Sequence, residues 1–303
     1  MDNRFTDEEV LAVAKASPDA VSRHDGLAWV GLFSRHAVIE DPVGSQPHQS
    51  GLYDRRSGVR GAGPIERFYD TFIGPNDITF HVEQDIVAGP FVVRDLAIEL
   101  AMGPGVTARV PMHLVYEITA EDGRLKICHL RAHWEMLPMV RQVASKGWPG
   151  VMVLNRLGLR MIATQGVGAV CGFSRAVLGI HAAGKTALRR FVEAVNRKDR
   201  ATLSALFDGR NAGVSFPGDS RSVAPDALCE QTDLFLSATK LISSGYITSC
   251  TLTARSGDTQ ARGVGLFEFN SRTRKLHAVQ LYSQAALLQG IAAGAGQQPV
   301  QGS

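Results

Sequence analysis

Residues Val21-Ser22-Arg23-His24-Asp25 and Leu32-Phe33 have counterparts in Val195-Asn196-Arg197-Lys198-Asp199 and Leu206-Phe207, at a constant offset of 174. An offset that holds over a dozen positions means that one succession of elements is built twice. Near the end of each copy Leu125 and Leu130 pair with Leu276 and Leu281. A chain of 303 residues has room for two ordinary domains, and the repeat says that they share a plan.

The first copy shows what that plan is. Thr6-Asp7-Glu8-Glu9 is a capping box that opens a helix, and Val10, Leu11, Val13 and Ala14 follow at helical spacing. Pro18 either kinks this helix or starts a new one capped by Ser17. Asp25 caps the next helix. Because Asp25 and Asp199 recur in both copies, they read as caps and not as catalysts. Gly44 to Gly63 is rich in Gly, Ser, Pro and Arg and reads as a long surface loop. A helix starts at Pro64 and ends near Gly74. Ile78–Val82, Ile86–Ala88, Phe91–Met102, Thr107–Ile118 and Leu125–Met139 then read as strands. Helices followed by a meander of strands predict an α+β fold. A curled sheet with helices across one mouth encloses a pocket.

The repeat breaks at one place. Val38-Ile39-Glu40-Asp41-Pro42-Val43-Gly44 ends a short apolar run with a carboxylate followed by proline. Opposite it stands Gly213-Val214-Ser215-Phe216-Pro217, in which, after one inserted residue, Phe216 replaces Asp41. Pro42 has no N–H and biases Asp41 toward extended backbone, so Asp41 is expected at a strand end. In apolar surroundings such a carboxylate becomes a proton acceptor. The second copy keeps the proline without the acid, so it is expected to dock or bind rather than react.

Charge divides along the chain. Residues 1–141 carry 14 Lys/Arg and 20 Asp/Glu, residues 142–183 carry 4 and none, and residues 184–303 carry 14 and 9. Opposite signs on the two copies favour their association. No basic run with interleaved aromatics points to nucleic acid. Cys128, Cys171, Cys229 and Cys250 form no CxxC pair, so neither a metal site nor a disulfide framework is expected. The polar, acidic start is unlike a signal or transit peptide. No apolar run reaches the roughly 20 residues that span a bilayer. The expected location is cytoplasmic. The acid-free stretch from Gly147 to Gly184 contains Arg156, Arg160 and Arg175. It reads first as an ordinary inter-domain helix pair, with a basic amphipathic contact to an anionic membrane surface as the alternative.

Residues 38–44, Pro47-His48, Ile65-Glu66-Arg67-Phe68-Tyr69, and Gly123-Arg124-Leu125 leading to Ala132-His133-Trp134 together resemble the ketosteroid isomerase-like, SnoaL-like branch of the nuclear-transport-factor-2-like superfamily. The likeness runs over about residues 6–141 and implies a cone, a curved mixed sheet capped by helices. Two fused copies then form a pseudo-dimer within one chain. The expected division is a cone over 1–141, a connector over 142–183, a degenerate cone over 184–290 and a disordered tail over 291–303.

The resemblance also assigns roles. Asp41 falls on the base that moves a proton beside an enolised carbonyl. Tyr69 falls on a tyrosine that supports the hydrogen-bond network, and Trp134 on an aromatic that lines the pocket. Ser17 stands where the family has its oxyanion tyrosine, Leu114 near its companion acid, and Phe33 at a second tyrosine. Tyr116, His113 or Ser17 are the replacement donors at hand. Strand alternation points Leu130 and Ala132 inward, and His129, Arg131 and His133 outward. The implied activity is isomerisation or aldol-type cyclisation of a small apolar carbonyl compound, of steroid or polyketide class, without cofactor or metal. The alternatives are a binder of a steroid- or lipid-like ligand, and a scaffold that uses residues 147–184.

Overall fold

The computed structural model describes residues 5–50, 63–209, 212–218 and 221–283. Most of the expected surface loop, residues 51–62, and the expected tail, 291–303, lie outside the described residues. By contact the chain divides into two compact units, residues 1–85 with 90–178, and residues 179–303 with 86–89.

The first unit opens with α1 (Asp7–Ser22). Its capping box forms as expected: the Glu9 N–H donates to Thr6 Oγ1, and the Thr6 N–H donates to the Glu9 carboxylate. The helix runs unbroken through Pro18. Ser17 caps nothing, because its Oγ accepts the indole N–H of Trp29 at 3.1 Å. Then come α2 (Gly26–Gly31), β1 (Phe33–Glu40), β2 (His48–Gln49) and α3 (Pro64–Phe68), which runs into a π-helical turn, Tyr69–Ile73.

Four long strands follow, β3 (Asp77–Ala88), β4 (Phe91–Gly103), β5 (Val106–Glu121) and β6 (Arg124–His133). Two expectations are corrected here. Ile78–Val82 and Ile86–Ala88 are one strand. The charged residues between them do not break it, since β3 is the sheet edge and its first seven residues are only half-buried or exposed. The last strand stops at His133, not Met139. Residues beyond it form α4 (Met136–Ala144), with Pro138 in the first turn, where no intrahelical N–H is needed.

The sheet order is β2-β1-β6-β5-β4-β3. All pairs with a recorded register are antiparallel except β1 with β6, which is parallel. Three helical pieces close the unit: α5 (Trp148–Gln165), α6 (Val167–Ser174) and a 3-10 turn, Arg175–Val177.

The second unit repeats the plan. It has α7 (His181–Arg197), α8 (Arg200–Ala205), β7 (Gly213–Phe216), β8 (Arg221–Val223), β9 (Leu234–Ser244), β10 (Ile247–Ser256), β11 (Thr259–Phe269) and β12 (Leu276–Ser283). Its sheet order, β8-β7-β12-β11-β10-β9, is that of the first sheet element for element, and β7 pairs with β12 in parallel. Asp25 and Asp199 cap α2 and α8 in the same way, accepting from Ala28 N and Thr202 N at 2.9 Å each. The fold is therefore α+β: two six-stranded mixed sheets, each with its helices.

Candidate active site

The parallel pairing of β1 with β6 builds the site. Ile39 lies level with Leu130 and Glu40 with Arg131. Parallel neighbours leave the sheet at the same end, so Asp41, just past β1, meets Trp134, just past β6. The Val43 N–H donates to the Ala132 carbonyl at 2.9 Å, which ties the Pro42 segment to β6. Trp134 Nε1 then donates to Asp41 Oδ1 at 2.6 Å.

Asp41 and Trp134 face a cavity within the first unit. Its volume is about 90 Å³. Its sheet wall comes from alternate residues, Ile98, Leu100 and Met102 on β4, with Val110 and Met112 on β5. Phe68, Phe72 and Ile73 supply the helical wall, and Leu157 of α5 and Phe173 of α6 cover it. Of the fifteen lining residues only Asp41, Asn76 and the Trp134 indole carry polar side-chain atoms. Asn76 Nδ2 donates to the Phe72 carbonyl at 2.7 Å.

Asp41 keeps intermediate accessibility, as a residue lining a cavity does. Protein atoms still crowd its carboxyl group. The loss of bulk water raises its pKa from 3.8 to about 6, while the Trp134 hydrogen bond pulls it down. A hydrogen bond to a charged acceptor contributes about 1.5–3 kcal/mol. Replacing Trp134 by Phe is therefore expected to move the Asp41 midpoint upward by about one unit. Titration of the carboxyl carbon by NMR measures this, and an unmoved midpoint would refute the assigned partner.

Nearby, His48 packs against the rings of Phe68 and Phe72, with centroids 5.0 and 6.4 Å away. Burial, with the Arg67 charge adding to it, lowers its pKa to about 4. His48 is thus neutral around pH 7.

The other residues singled out by resemblance lie elsewhere, and none of them lines this cavity. Phe33 and Tyr69 pack on Trp29, with ring centroids 4.6 and 5.6 Å from it. The Tyr69 hydroxyl is buried without a hydrogen-bond partner. Ser17 and Tyr116 hydrogen-bond to each other, and Tyr116 also to Arg94. Arg94 Nε donates to Asp85 at 2.7 Å. This buried polar chain joins α1 to the sheet. Leu114 lies level with Arg94 on β4 and Ala132 on β6. His113 faces the other way and lies 3.5 Å from Asp95, both fully buried. Leu130 and Ala132 do share the Leu114–Tyr116 face. His133, on the opposite face, is fully buried instead of solvated.

The cover was hidden in the acid-free stretch. Thr71 Oγ1 lies 2.7 Å from Thr164 Oγ1 and accepts from Gln165 Nε2 at 2.9 Å. The Gln46 N–H donates to the Gly172 carbonyl at 3.1 Å, and Phe173 stacks on Phe72 at 5.3 Å. Alternation in β4 and β5 was a legible signal for the sheet wall. No local pattern could assign Leu157 or Phe173 to it.

Gly150 fixes where α5 starts. A Cβ there would stand 1.8 Å from the Val143 carbonyl oxygen, a backbone atom with little room to yield. Gly150→Ala is expected to push α5 off α4 and cost about 3 kcal/mol, measurable by urea unfolding. Unchanged stability would show that the two helices do not need this approach.

In the second unit Phe216 occupies the position opposite Asp41 and is buried in an apolar core with Phe207, Phe267, Phe269 and Leu281. Phe191 meets Phe207 and Phe267 edge-on. Among the described residues no three His, Cys, Asp or Glu side chains group to hold a metal ion. Among the described residues no helix is long and apolar enough to cross a membrane.

No family model matches the chain, and no curated protein matches it. Solved structures do. The Delta 5-3-ketosteroid isomerase from Mycobacterium sp. is 27% identical over 43% of this chain and 96% of its own, with a TM-score of 0.35. RV0760c from Mycobacterium tuberculosis is 23% identical over 44% and 96%, TM-score 0.35. The epoxide hydrolase/cyclase-like enzyme SalBIII, described in pyran ring formation in the polyether salinomycin, is 20% identical over 43% and 94%, TM-score 0.35.

Proposed function

We propose that the first unit binds a small apolar carbonyl compound, of the steroid or polyketide class, with Asp41 as the base that moves a proton on it. The observation that supports this reading is a carboxyl group held against an apolar cavity with its pKa raised to about 6. A base of that pKa is mostly ionised at neutral pH and still returns its proton readily.

The step balances simply. Asp41 takes a proton from the carbon beside the carbonyl, and that C–H electron pair forms a C=C bond. The carbonyl π pair moves to oxygen, giving an enolate. Where the substrate carries a β,γ double bond, the enolate oxygen pair re-forms the carbonyl and the new C=C pair shifts to join the α and β carbons. The former β,γ π pair takes the same proton back from Asp41 at the γ carbon. The second unit, with Phe216 in place of the acid, takes no part in this chemistry.

A second reading is favoured because the positions where the resemblance puts oxyanion donors supply none to the cavity. The Trp134 N–H is directed to Asp41, Ser17 accepts from Trp29, and Leu114 offers no polar atom. Each such donor is ordinarily worth about 100- to 1,000-fold in rate. On this reading the pocket holds a steroid- or lipid-like ligand without turnover, and Asp41 accepts a hydrogen bond from a ligand hydroxyl. One experiment separates the two. Purified protein is mixed with a β,γ-unsaturated 3-ketosteroid and conjugation is followed by ultraviolet absorbance. Conjugation supports the base; binding of a fluorescent phenolic steroid without conjugation supports the binder; neither would refute both.

A further inference from the structure

The outward face of α5 is apolar where a surface helix is normally polar. Trp148 is 73% exposed, Leu159 59%, Val151 46%, Ile162 42% and Met152 40%. At about 100° per residue, these five fall within one arc of about 100°, which also holds exposed Asn155 and is bordered by exposed Arg156. The inner face of the same helix carries Val153 and Met161, both buried, and Leu157, which lines the cavity. Leu137 on the preceding helix adds a further exposed apolar side chain at 47%.

Charge identifies what this face meets. Between Glu135 and Glu193 the chain has no acidic residue. Arg141, Lys146, Arg156 and Arg175 are exposed over that stretch. A Trp- and Leu-bearing face bordered by cations, on a helix that itself carries no acid, is suited to the boundary of an anionic bilayer, where the apolar side chains enter the acyl region and the cations stay with the headgroups. We infer that α5 docks the first unit on an anionic phospholipid surface. The docking helix is also a cover of the cavity, so an apolar ligand would have a route from the bilayer that avoids water. The inference does not depend on the chemistry proposed for Asp41, and Asp41→Asn should bind vesicles as the unaltered chain does.

The chain reports on its own docking. Of its three tryptophans, Trp29 and Trp134 are buried and only Trp148 is exposed. Full-length protein is mixed at low salt with phosphatidylcholine vesicles containing one quarter phosphatidylglycerol, and with pure phosphatidylcholine vesicles. The expected result is flotation with the anionic vesicles, a blue shift of tryptophan emission and protection of one tryptophan from iodide. Arg156→Gln should weaken binding about fivefold. Leu159→Glu should weaken it at least tenfold. Both positions are at the surface, so both variants should unfold at the usual denaturant concentration. No flotation and no emission shift on anionic vesicles would overturn the inference. So would self-association in the absence of lipid that Leu159→Glu abolishes, since a second copy would then cover the face.

Discussion

Asp41→Asn is expected to reduce proton transfer by about 100- to 10,000-fold, and at the same time to make the protein more stable at neutral pH. The two effects share one cause. Folding surrounds the carboxyl group with protein atoms, which raises its pKa from 3.8 to about 6. Between those values the folded chain holds a proton that the unfolded chain has released. Stability therefore falls as pH rises through that window, and the loss is complete above it. A shift of this size corresponds to about 2–3 kcal/mol. Asparagine has the same shape, carries no charge and can still accept from the Trp134 indole. The variant should gain most of that energy at pH 7.5 and little at pH 4.

His48 works in the opposite direction. Its folded pKa, lowered to about 4, makes stability rise with pH up to its unfolded value near 6.5. The curve of the unaltered protein is thus partly flattened, and the difference between it and Asp41→Asn isolates the aspartate. Denaturant unfolding from pH 4 to 8 measures the difference, and the steroid absorbance assay measures the rate. Turnover that survives the substitution would remove Asp41 from the mechanism. A stability difference that does not depend on pH would show that the carboxyl group is not desolvated.

Asp85→Ala is expected to cost about 3–5 kcal/mol. Arg94 is 4% exposed. Its Nε donates to Asp85 Oδ1 at 2.7 Å, its Nη2 reaches Oδ2 at 3.5 Å, and its Nη1 is already buried without a partner. A guanidinium does not shed its proton at accessible pH, so removing Asp85 leaves a buried cation held mainly by the Tyr116 hydroxyl. The pair is not inherently worth that much, because both ions also lose water on folding. Asp85→Leu with Arg94→Met should therefore recover most of the loss. Urea unfolding of Asp85→Leu, of Arg94→Met and of the double variant completes the cycle. A double variant no more stable than Asp85→Ala would mean that the sheet needs the ion pair itself.

Much of the fold was legible because its signals are local or periodic. The Thr6–Glu9 box and the Asp25 and Asp199 caps each involve residues three positions apart. Alternation marked the strands, and the offset of 174 announced two sheets that proved to have one topology. Reading failed where local chemistry gave way to context. Glu83-Gln84-Asp85 looked like a break because charges usually end strands, yet an edge strand tolerates them. Of the two readings at Pro18 the continuing helix holds, and the Ser17 hydroxyl, the cap of the other reading, is taken by Trp29, 12 residues away.

The sequence alone determined that there are two copies of one α+β plan, and that only the first has an acid after its opening strand. Both facts follow from the order of residues along the chain. Only the tertiary structure decided what that acid is. Its indole partner stands 93 positions away, and its cover comes from helices that carried no local mark of their position. Its pKa depends on how much water those distant groups exclude together. Exclusion of water is a property of the assembled cavity, and no residue in the row of letters carries it.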